Sequence, residues 1–285
     1  MTPPHDTVRF GVVLSSGGLR GFAHLGVLRK LLAEGLTIDV LVGVSAGAVL
    51  AGFYAGVGLG VEDMIDEAPV FRGRHVIMHG LTLRAPQVAR PLLRRFCGVI
   101  PERLQQLDGA RFDVLHHGVH SLGIVCHDRV TERTVYLSTL EHFGVSLGMA
   151  VKGSATLPGI IPSRPVVRNG VTTCLVDGGL SDSLPCAFAS SLGATHLIVS
   201  DCRRDAEPCV SGPSLVYIRP EANGTAMLRS PAGTLLESVA QGEAACTPEV
   251  LDTVRAWVAR RAETLAAGPP LETAARLGSR DEAVA

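Results

Sequence analysis

The sequence predicts an α/β protein with a mainly parallel central sheet and helices on both faces. Its first 55 or so residues alternate between apolar, β-rich runs and runs with helical spacing, in the order strand, helix, strand, helix. Parallel strands covered by helices on both faces are buried on both faces, which fits 46% hydrophobic residues in a chain of 285. The same composition, with a net charge of only -1, excludes a disordered chain.

The first four elements are predicted from hydrophobic periodicity. Residues 8–15 and 38–44 are mostly apolar and rich in β-branched side chains, as expected of buried strands. Between them a phenylalanine and four leucines recur at helical spacing, and Gly35 marks the expected end of that helix. Residues 46–56 are rich in small side chains and predict a second helix.

The later elements continue the alternation after a less regular region, residues 59–119, where we expect helices joined by loops. Asn169-Gly170 is a strong hairpin signal, and Ser183 has the character of a helix N-cap. The predicted elements are strands at 120–127, 134–137, 195–200 and 215–218, the first two paired, a hairpin over 166–176, short helices at 145–152 and 184–192, and a last, core-packing helix from Pro248 toward Ala267.

The domain organisation follows from the absence of a repeat or a linker in the sequence. We expect one domain over residues 1–268, with a motif-bearing core at 8–201 and a flexible tail at 269–285. Pro3, Pro4, His5 and Asp6 lie where a signal peptide would need an apolar core, so no signal peptide is expected. Seven widely spaced cysteines without a Cys-x-x-Cys pair indicate buried, reduced thiols in a cytoplasmic protein rather than disulfides or a zinc ribbon.

Gly43-Val44-Ser45-Ala46-Gly47 is the first motif that carries chemistry. A serine on a sharp turn between strand and helix needs small neighbours two residues away on either side, because larger ones would clash. The alternative is a glycine-rich packing turn. The motif lies within residues 40–61, an uncharged run of 22 residues that is long enough to span a membrane. A strand, a turn and a helix written end to end account for this run and for its glycines.

The second motif is the loop Ser16-Gly17-Gly18-Leu19-Arg20-Gly21 after the first strand. Consecutive glycines let backbone N–H groups converge on an anion. The spacing fits neither a dinucleotide fingerprint, because Ser16 replaces the first glycine, nor a phosphate-binding P-loop, because no Gly-Lys-Ser/Thr follows. An oxyanion hole beside Ser45 remains. Arg20 organises this loop or lies near a bound phosphate group, the structural role being favoured.

The third motif, Asp177-Gly178-Gly179, ends a predicted strand, where a parallel sheet places its ligands. A plain turn is the alternative. A Ser-His-Asp triad of the α/β-hydrolase kind would need a late histidine, but no histidine follows His196, which itself precedes a strand. A dyad in which Asp177 accepts the proton of Ser45 directly fits better.

Together these motifs resemble those of the bacterial patatin-like phospholipases. The resemblance rests on GGLRG, FAHLGVLRKLLAEG and GVSAGA within residues 8–54, and on GSATLPGIIPSRPV and LVDGGLSDSLP later in the chain. It covers most of residues 8–200 and implies a patatin-like α/β/α sandwich. By resemblance, Ser45 is the nucleophile, Asp177 completes a Ser-Asp dyad, and the backbone amides of Gly17, Gly18, Leu19 and Arg20 form the oxyanion hole. Ser16 departs from the usual three glycines of this loop and would be strained if its position required a positive φ.

The resemblance implies a serine-dependent lipid acyl hydrolase of the phospholipase A, lysophospholipase or carboxylesterase type, acting through an acyl-enzyme on a lipid or acyl-ester substrate. An acyltransferase or thioesterase on the same dyad, and a non-catalytic lipid-binding regulator, are the alternatives. No cofactor is implied. No metal is expected, because neither the set His116, His117 and His120 nor the pair His75 and His79 is completed by a carboxylate or cysteine.

The charge pattern bears on partners. Residues 72–111 contain eight arginines but only two acidic residues, which predicts a solvated helical face or, alternatively, transient contact with an anionic membrane surface such as the inner membrane face. Nucleic-acid binding has little support, given a pI near 6.8 and 4% aromatic residues.

Overall fold

The computed structural model describes residues 8–163, 165–204, 207–221 and 234–267. Ten α-helices and eight strands lie within these ranges. The strands are β1 Phe10–Leu14, β2 Val40–Val44, β3 Ser121–Asp128, β4 Arg133–Ser138, β5 Pro165–Arg168, β6 Val171–Asp177, β7 His196–Ser200 and β8 Leu215–Ile218. The helices are α1 Ala23–Ala33, α2 Ala46–Ala51, α3 Val61–Asp66, α4 Gly73–Arg84, α5 Arg90–Arg94, α6 Ile100–Gln106, α7 Leu147–Ser154, α8 Cys186–Ser191, α9 Thr234–Ala245 and α10 Pro248–Ala267.

The strands form one mixed sheet, in which hydrogen-bonded neighbours follow the path β5-β6-β3-β2-β1-β7-β8. Strand β3 has β4 as a third partner. The five strands from β3 to β8 along this order are parallel, whereas β4, β5 and β6 pair antiparallel. Alternate residues of the central strands enter two separate apolar cores. Val12 and Leu41 face the larger core with α1, α2, α7, α9 and α10, while Val13 and Val42 face the smaller one with α8. The expected mainly parallel sheet with helices on both faces is confirmed.

The meeting of β2 and β6 at one edge of β3 is the feature that builds the site. β2 pairs with β3 up to the register Val44–Val125, and β6 takes over with the register Cys126–Asp177. Because β4 occupies the other edge of β3 along both stretches, β2 and β6 must share the same edge and meet end to end. The residue after Val44 is therefore brought against the last residue of β6.

Most predicted elements are confirmed, including the 166–176 hairpin, the four helices within 59–119 and a last helix whose Trp257 is buried. The helix predicted at 46–56 is also confirmed; it is α-helical to Ala51 and continues as a π-helix over Gly52–Val57. Two expectations were wrong. The strand ending at Asp177 is antiparallel, so its place at the site comes from the β2–β6 junction rather than from a parallel strand end. Ser183 does not cap α8, whose N-cap is Pro185.

The residues predicted as a possible membrane span are β2, a turn and α2, with most side chains buried in the core. In the described ranges, none of the helices combines the length and apolarity needed to cross a bilayer. The tail expected at 269–285 lies outside the described residues.

Helix α9 packs unusually closely on α1, and small residues make this possible. A Cβ atom on Gly26 of α1 would lie 1.9 Å from the backbone oxygen of Val239, and one on Gly242 of α9 would lie 1.9 Å from that of Ala23. Such distances are far inside van der Waals contact, so both positions require glycine if the helices are to keep this separation.

Candidate active site

The turn between β2 and α2 holds Ser45 in a strained conformation. Its backbone has φ 54° and ψ -117°, a region that non-glycine residues rarely adopt. Added Cβ atoms on Gly43 and Gly47 would lie 2.4 Å from the Gly47 oxygen and 2.3 Å from the Leu14 oxygen, respectively. The sequence-based reason for small residues at these two positions is confirmed.

Ser45 and Asp177 are in direct hydrogen-bond contact. The Ser45 hydroxyl donates to Oδ2 of Asp177 at 2.6 Å, and the Gly179 N–H donates to Oδ1 at 2.8 Å. Both side chains are buried, with 4% and 6% of their surface exposed. Burial raises the pKa of Asp177 above its ordinary value, although the two hydrogen bonds partly oppose the rise. Gly178 follows with no room for a side chain, since its Cβ would lie 2.3 Å from the Val125 oxygen.

The glycine-rich loop lies beside this pair. Gly18 and Leu19 line the same cavity as Ser45. Gly18 takes the positive φ of the loop, at 56°, and Ser16 does not have a positive φ, so serine is tolerated there. Gly17 packs on Cys202, where a Cβ would lie 2.8 Å from the Cys202 Cβ.

Arg20 and a buried histidine fix the loop to the end of β7. The Arg20 Nε–H donates to the Cys202 carbonyl at 3.0 Å, which supports the structural role expected for Arg20. His24 is fully buried, with Nδ1 2.7 Å from the Ser200 hydroxyl and Nε2 3.1 Å from the Ser15 carbonyl oxygen. Burial lowers the pKa of His24 to about 4, so the ring is neutral near pH 7.

Sequence reasoning missed a second support, the end of helix α7. The buried Ser154 hydroxyl accepts from the Ser45 N–H at 2.8 Å and donates to the Val125 carbonyl at 2.6 Å. Two residues later, the Thr156 carbonyl accepts from the Asp177 N–H at 3.1 Å. One short segment therefore holds the backbones of both Ser45 and Asp177. This segment belongs to the GSATLPGIIPSRPV stretch on which the family resemblance rests, and that was the sequence feature that could have pointed to it. The residues around Ser154 in the sequence do not by themselves indicate its role.

A cavity of about 680 Å³ is lined in part by Ser45. Residues of helices α3, α4, α5 and α6 contribute to its lining, and most of the lining side chains are apolar. Basic side chains also reach it, and two of them are paired: Arg103 with Glu67, and Lys152 with Asp108. Representative apolar lining residues are Phe22, Leu50, Phe53, Met64, Phe71 and Leu104.

A family model described as Patatin-like phospholipase matches residues 12–190. The chain belongs to the patatin-like phospholipase family. It is 32% identical over 193 residues to a lysophospholipase, NTE1, of Mycosarcoma maydis, and 30% identical over 204 residues to an uncharacterized NTE family protein of Mycobacterium tuberculosis. These matches cover 67% and 70% of this chain but only 9% and 31% of the two relatives, so the chain spans less than a third of either.

The fold is also similar to that of a solved structure. VipD from Legionella pneumophila aligns over 87% of this chain and 67% of its own, with a TM-score of 0.52 and 14% identity. Relatives come from fungi and animals as well as from mycobacteria. The comparisons therefore support the patatin-like phospholipase family as a whole and give only weak support to its bacterial members in particular.

The histidines and cysteines considered in the sequence analysis lie away from Ser45 in the sequence, and several of them have contacts within the fold. His75 Nδ1 accepts from the Arg72 N–H at the start of α4, and His117 stacks on Tyr54 with 4.3 Å between ring centroids. Across the described ranges, no three His, Cys, Asp or Glu side chains are grouped so as to hold a metal ion. All seven cysteines are free, but Cys209 is exposed, so the interpretation of the cysteines as buried was wrong at that position.

Proposed function

We propose that this protein is a serine-dependent lipid acyl hydrolase that cleaves carboxylic esters through Ser45 and Asp177. The observation that carries the proposal is the 2.6 Å hydrogen bond between the Ser45 hydroxyl and the Asp177 carboxylate, with Ser45 lining a mainly apolar cavity. A hydroxyl bonded to a buried carboxylate has its proton acceptor already in place. Family membership supports the same chemistry.

In the first half-reaction Asp177 takes the hydroxyl proton while Ser45 Oγ bonds to the ester carbonyl carbon. The carbonyl π electrons move to oxygen, where N–H groups of the loop, Gly18 and Leu19 among them, hold the developing charge. Each such donor contributes about 10²–10³ in rate. When the tetrahedral intermediate collapses, the ester C–O bond breaks and the leaving alcohol takes the proton from Asp177.

In the second half-reaction the acyl-enzyme is hydrolysed. Asp177 takes a proton from water as the hydroxide oxygen bonds to the acyl carbon. The bond to Ser45 Oγ then breaks, the fatty acid leaves, and the proton on Asp177 returns to Ser45. No other co-reactant is required, and the dyad ends as it began.

The cavity supports a lipid or other acyl-ester substrate. Its volume of about 680 Å³ and its mainly apolar lining suit a fatty acyl chain. A relative described as a lysophospholipase points the same way. A cytoplasmic location, transient contact with an anionic inner membrane face, and one domain over residues 1–268 belong to the same proposal.

The test is labelling with a fluorophosphonate probe together with hydrolysis of an ester panel from butyryl to palmitoyl. We expect Ser45→Ala to lose labelling and at least about 10³-fold of turnover. Ser191→Ala is the matched control, because Ser191 is exposed at the end of α8 and its hydroxyl only donates to the Phe188 carbonyl. Equal labelling of Ser45→Ala and wild type would refute the proposal.

Adding acceptor alcohols to the same assay distinguishes hydrolysis from acyl transfer. We expect free fatty acid to remain the main product at acceptor concentrations well below that of water. Predominant transfer to the acceptor would reassign the protein as an acyltransferase on the same dyad.

A further inference from the structure

Residues 81–96, which include the end of α4, the following turn and α5, carry an exposed apolar surface. Val88 is 90% exposed and Leu92 58% exposed, with Leu81 and Phe96 close to half exposed. Single exposed apolar residues are ordinary, but four within sixteen residues of one chain segment require an explanation.

The same segment has a one-sided charge. Residues 68–101 contain no aspartate and no glutamate, but they contain six arginines: Arg72, Arg74, Arg84, Arg90, Arg94 and Arg95. Arg84, Arg94 and Arg95 are exposed. The Arg95 guanidinium lies 4.8 Å from the centre of the Phe96 ring, so cationic and apolar groups are interleaved rather than separated.

This surface is continuous with the wall of the cavity at Ser45. Leu83, Arg90 and Arg94 line that cavity, while their sequence neighbours Val88 and Leu92 do not and are exposed instead. One face of the segment therefore bounds the space beside the nucleophile, and the other is open to the surroundings.

We propose that residues 81–96 dock on the surface of an anionic lipid bilayer, with Val88 and Leu92 entering its interfacial region and the arginines meeting lipid headgroups. A bilayer offers negative charge and hydrocarbon within a few ångströms of each other, which matches the interleaved pattern of this segment. An acidic protein surface would match the arginines but would leave the protruding apolar side chains without an evident partner. The proposal rests on the proposed lipid-ester function, because docking here would bring the cavity wall against the layer that contains the substrate.

The charge and apolar contributions are separable by experiment. Each arginine near an anionic bilayer contributes about fivefold to affinity at low salt, an effect that falls as salt screens the charges. Burial of two aliphatic side chains contributes at least about tenfold and is insensitive to salt.

The experiment is flotation of Ser45→Ala protein with vesicles of phosphatidylglycerol and phosphatidylcholine, and with vesicles of phosphatidylcholine alone. The Ser45→Ala background prevents hydrolysis of the vesicles. The apolar variant carries Val88→Ser and Leu92→Ser, and its control carries Val210→Ser and Leu265→Ser. The two control residues are 85% and 67% exposed, and Leu265 lies on α10, whose Arg261 pairs with Asp39 at the start of β2, the end opposite Ser45.

We expect binding to the anionic vesicles that is at least about tenfold weaker in the apolar variant and unchanged in the control variant. Arg94→Gln with Arg95→Gln should weaken binding and flatten its salt dependence. Equal binding of the apolar variant and its control, or equal binding to both kinds of vesicle, would overturn the proposal. So would a dimer in solution that the apolar variant dissociates, because the surface would then be an interface between two copies.

A soluble ester separates this proposal from the proposed function. With Ser45 intact, the Val88→Ser, Leu92→Ser variant should hydrolyse butyryl ester at the wild-type rate but long-chain phospholipid in vesicles at least about tenfold more slowly. If wild-type protein did not hydrolyse butyryl ester, the proposed dyad would be refuted. The flotation experiment would still decide whether residues 81–96 dock on the bilayer. Equal loss on both substrates in the variant would refute docking.

Discussion

At the scale of single residues, the site places a charge where the fold disfavours it. Asp177 is buried, and burial raises its pKa, so keeping it ionised near neutral pH costs folding free energy. A raised pKa means that the contribution of this carboxyl to stability is present below its ordinary pKa and is lost as pH rises through the raised value. This cost in folding free energy accompanies the placement of the Asp177 carboxylate beside the Ser45 hydroxyl.

Asp177→Asn should therefore abolish hydrolysis and stabilise the protein. We expect turnover to fall by about 10³-fold or more, since asparagine cannot take the Ser45 proton. The Tm should rise near neutral pH and approach that of wild type as the pH falls to about 4. Calorimetry at the two pH values, alongside ester turnover, measures both effects. A lower Tm in the variant at neutral pH would show that the carboxylate stabilises the fold.

Ser154 is the residue whose removal should separate positioning from folding. Ser154→Ala leaves the Ser45 N–H buried without its partner and frees the strained turn. We expect kcat to fall by about ten- to a hundredfold with KM nearly unchanged, and a loss of about 1–3 kcal/mol in the free energy of unfolding. Ser154→Cys should restore part of kcat.

Ser238→Ala provides the comparison for Ser154. Ser238 is 1% exposed and its hydroxyl donates to Thr234 within α9. This variant should lose stability and keep wild-type kcat. If both variants lost kcat in proportion to their loss of stability, Ser154 would have no positioning role.

At the scale of elements, the close crossing of α1 and α9 depends on two glycines. Gly26→Ala would place a methyl group 1.9 Å from the Val239 oxygen, so the helices must separate. We expect a loss of at least about 2 kcal/mol in urea unfolding, from overpacking and from cavities opened nearby. Gly109→Ala is the matched control, because nothing lies within 4 Å of its added Cβ, and it should change stability by about 0.5 kcal/mol or less. Equal stability of the two variants would contradict the crossing.

Helices and strands could be predicted where neighbouring residues in the sequence determine them. The errors concern features that depend on contacts between distant residues or on the exact residue at which a helix begins. Apolar runs located β1 and β2, and Asn169-Gly170 located the β5–β6 hairpin. The direction of β6 depends on its pairing with β3 about 50 residues earlier, which no periodicity reports. The cap of α8 was misplaced because Ser183 is an N-cap type in composition, but the chain begins the helix only after Pro185.

The site shows the same division. Ser45, Asp177 and the loop at Gly17 and Gly18 could be proposed as site residues from the sequence because each belongs to a short motif. Ser154 was not found, because its bond to Ser45 joins residues 109 positions apart. The same holds for His24 and Cys202, which support the loop only after β7 pairs with β1.

At the scale of the whole molecule, one neutral histidine links stability to acidity. His24 joins α1 to the ends of β1 and β7, and its pKa is lowered to about 4. The lowered value means that its contribution to stability is present above the ordinary pKa near 6.5 and is lost as pH falls toward 4. Acid should therefore weaken the fold beneath the glycine-rich loop.

His24→Gln measures this contribution. Between about pH 7 and about pH 4.5 the wild-type free energy of unfolding should fall by about 2–3 kcal/mol more than that of the variant. Burial also lowers the pKa of His75 and His196, but they contribute to both proteins and cancel in the difference. Parallel curves for wild type and variant in urea unfolding would show that His24 does not cause the acid sensitivity.

The support of the glycine-rich loop by β7 also sets a lower limit on the length of an active fragment of this chain. The family pattern ends at residue 190, yet the Ser200 carbonyl accepts from the Ser15 N–H at 3.1 Å, and the Cys202 N–H donates to the Ser15 hydroxyl at 2.8 Å. A fragment ending at residue 190 would retain Ser45 and Asp177 but would lose these bonds and strand β7, which would leave β1 as an exposed sheet edge that is prone to aggregation. The smallest working unit of this enzyme family member is thus longer than its recognisable signature.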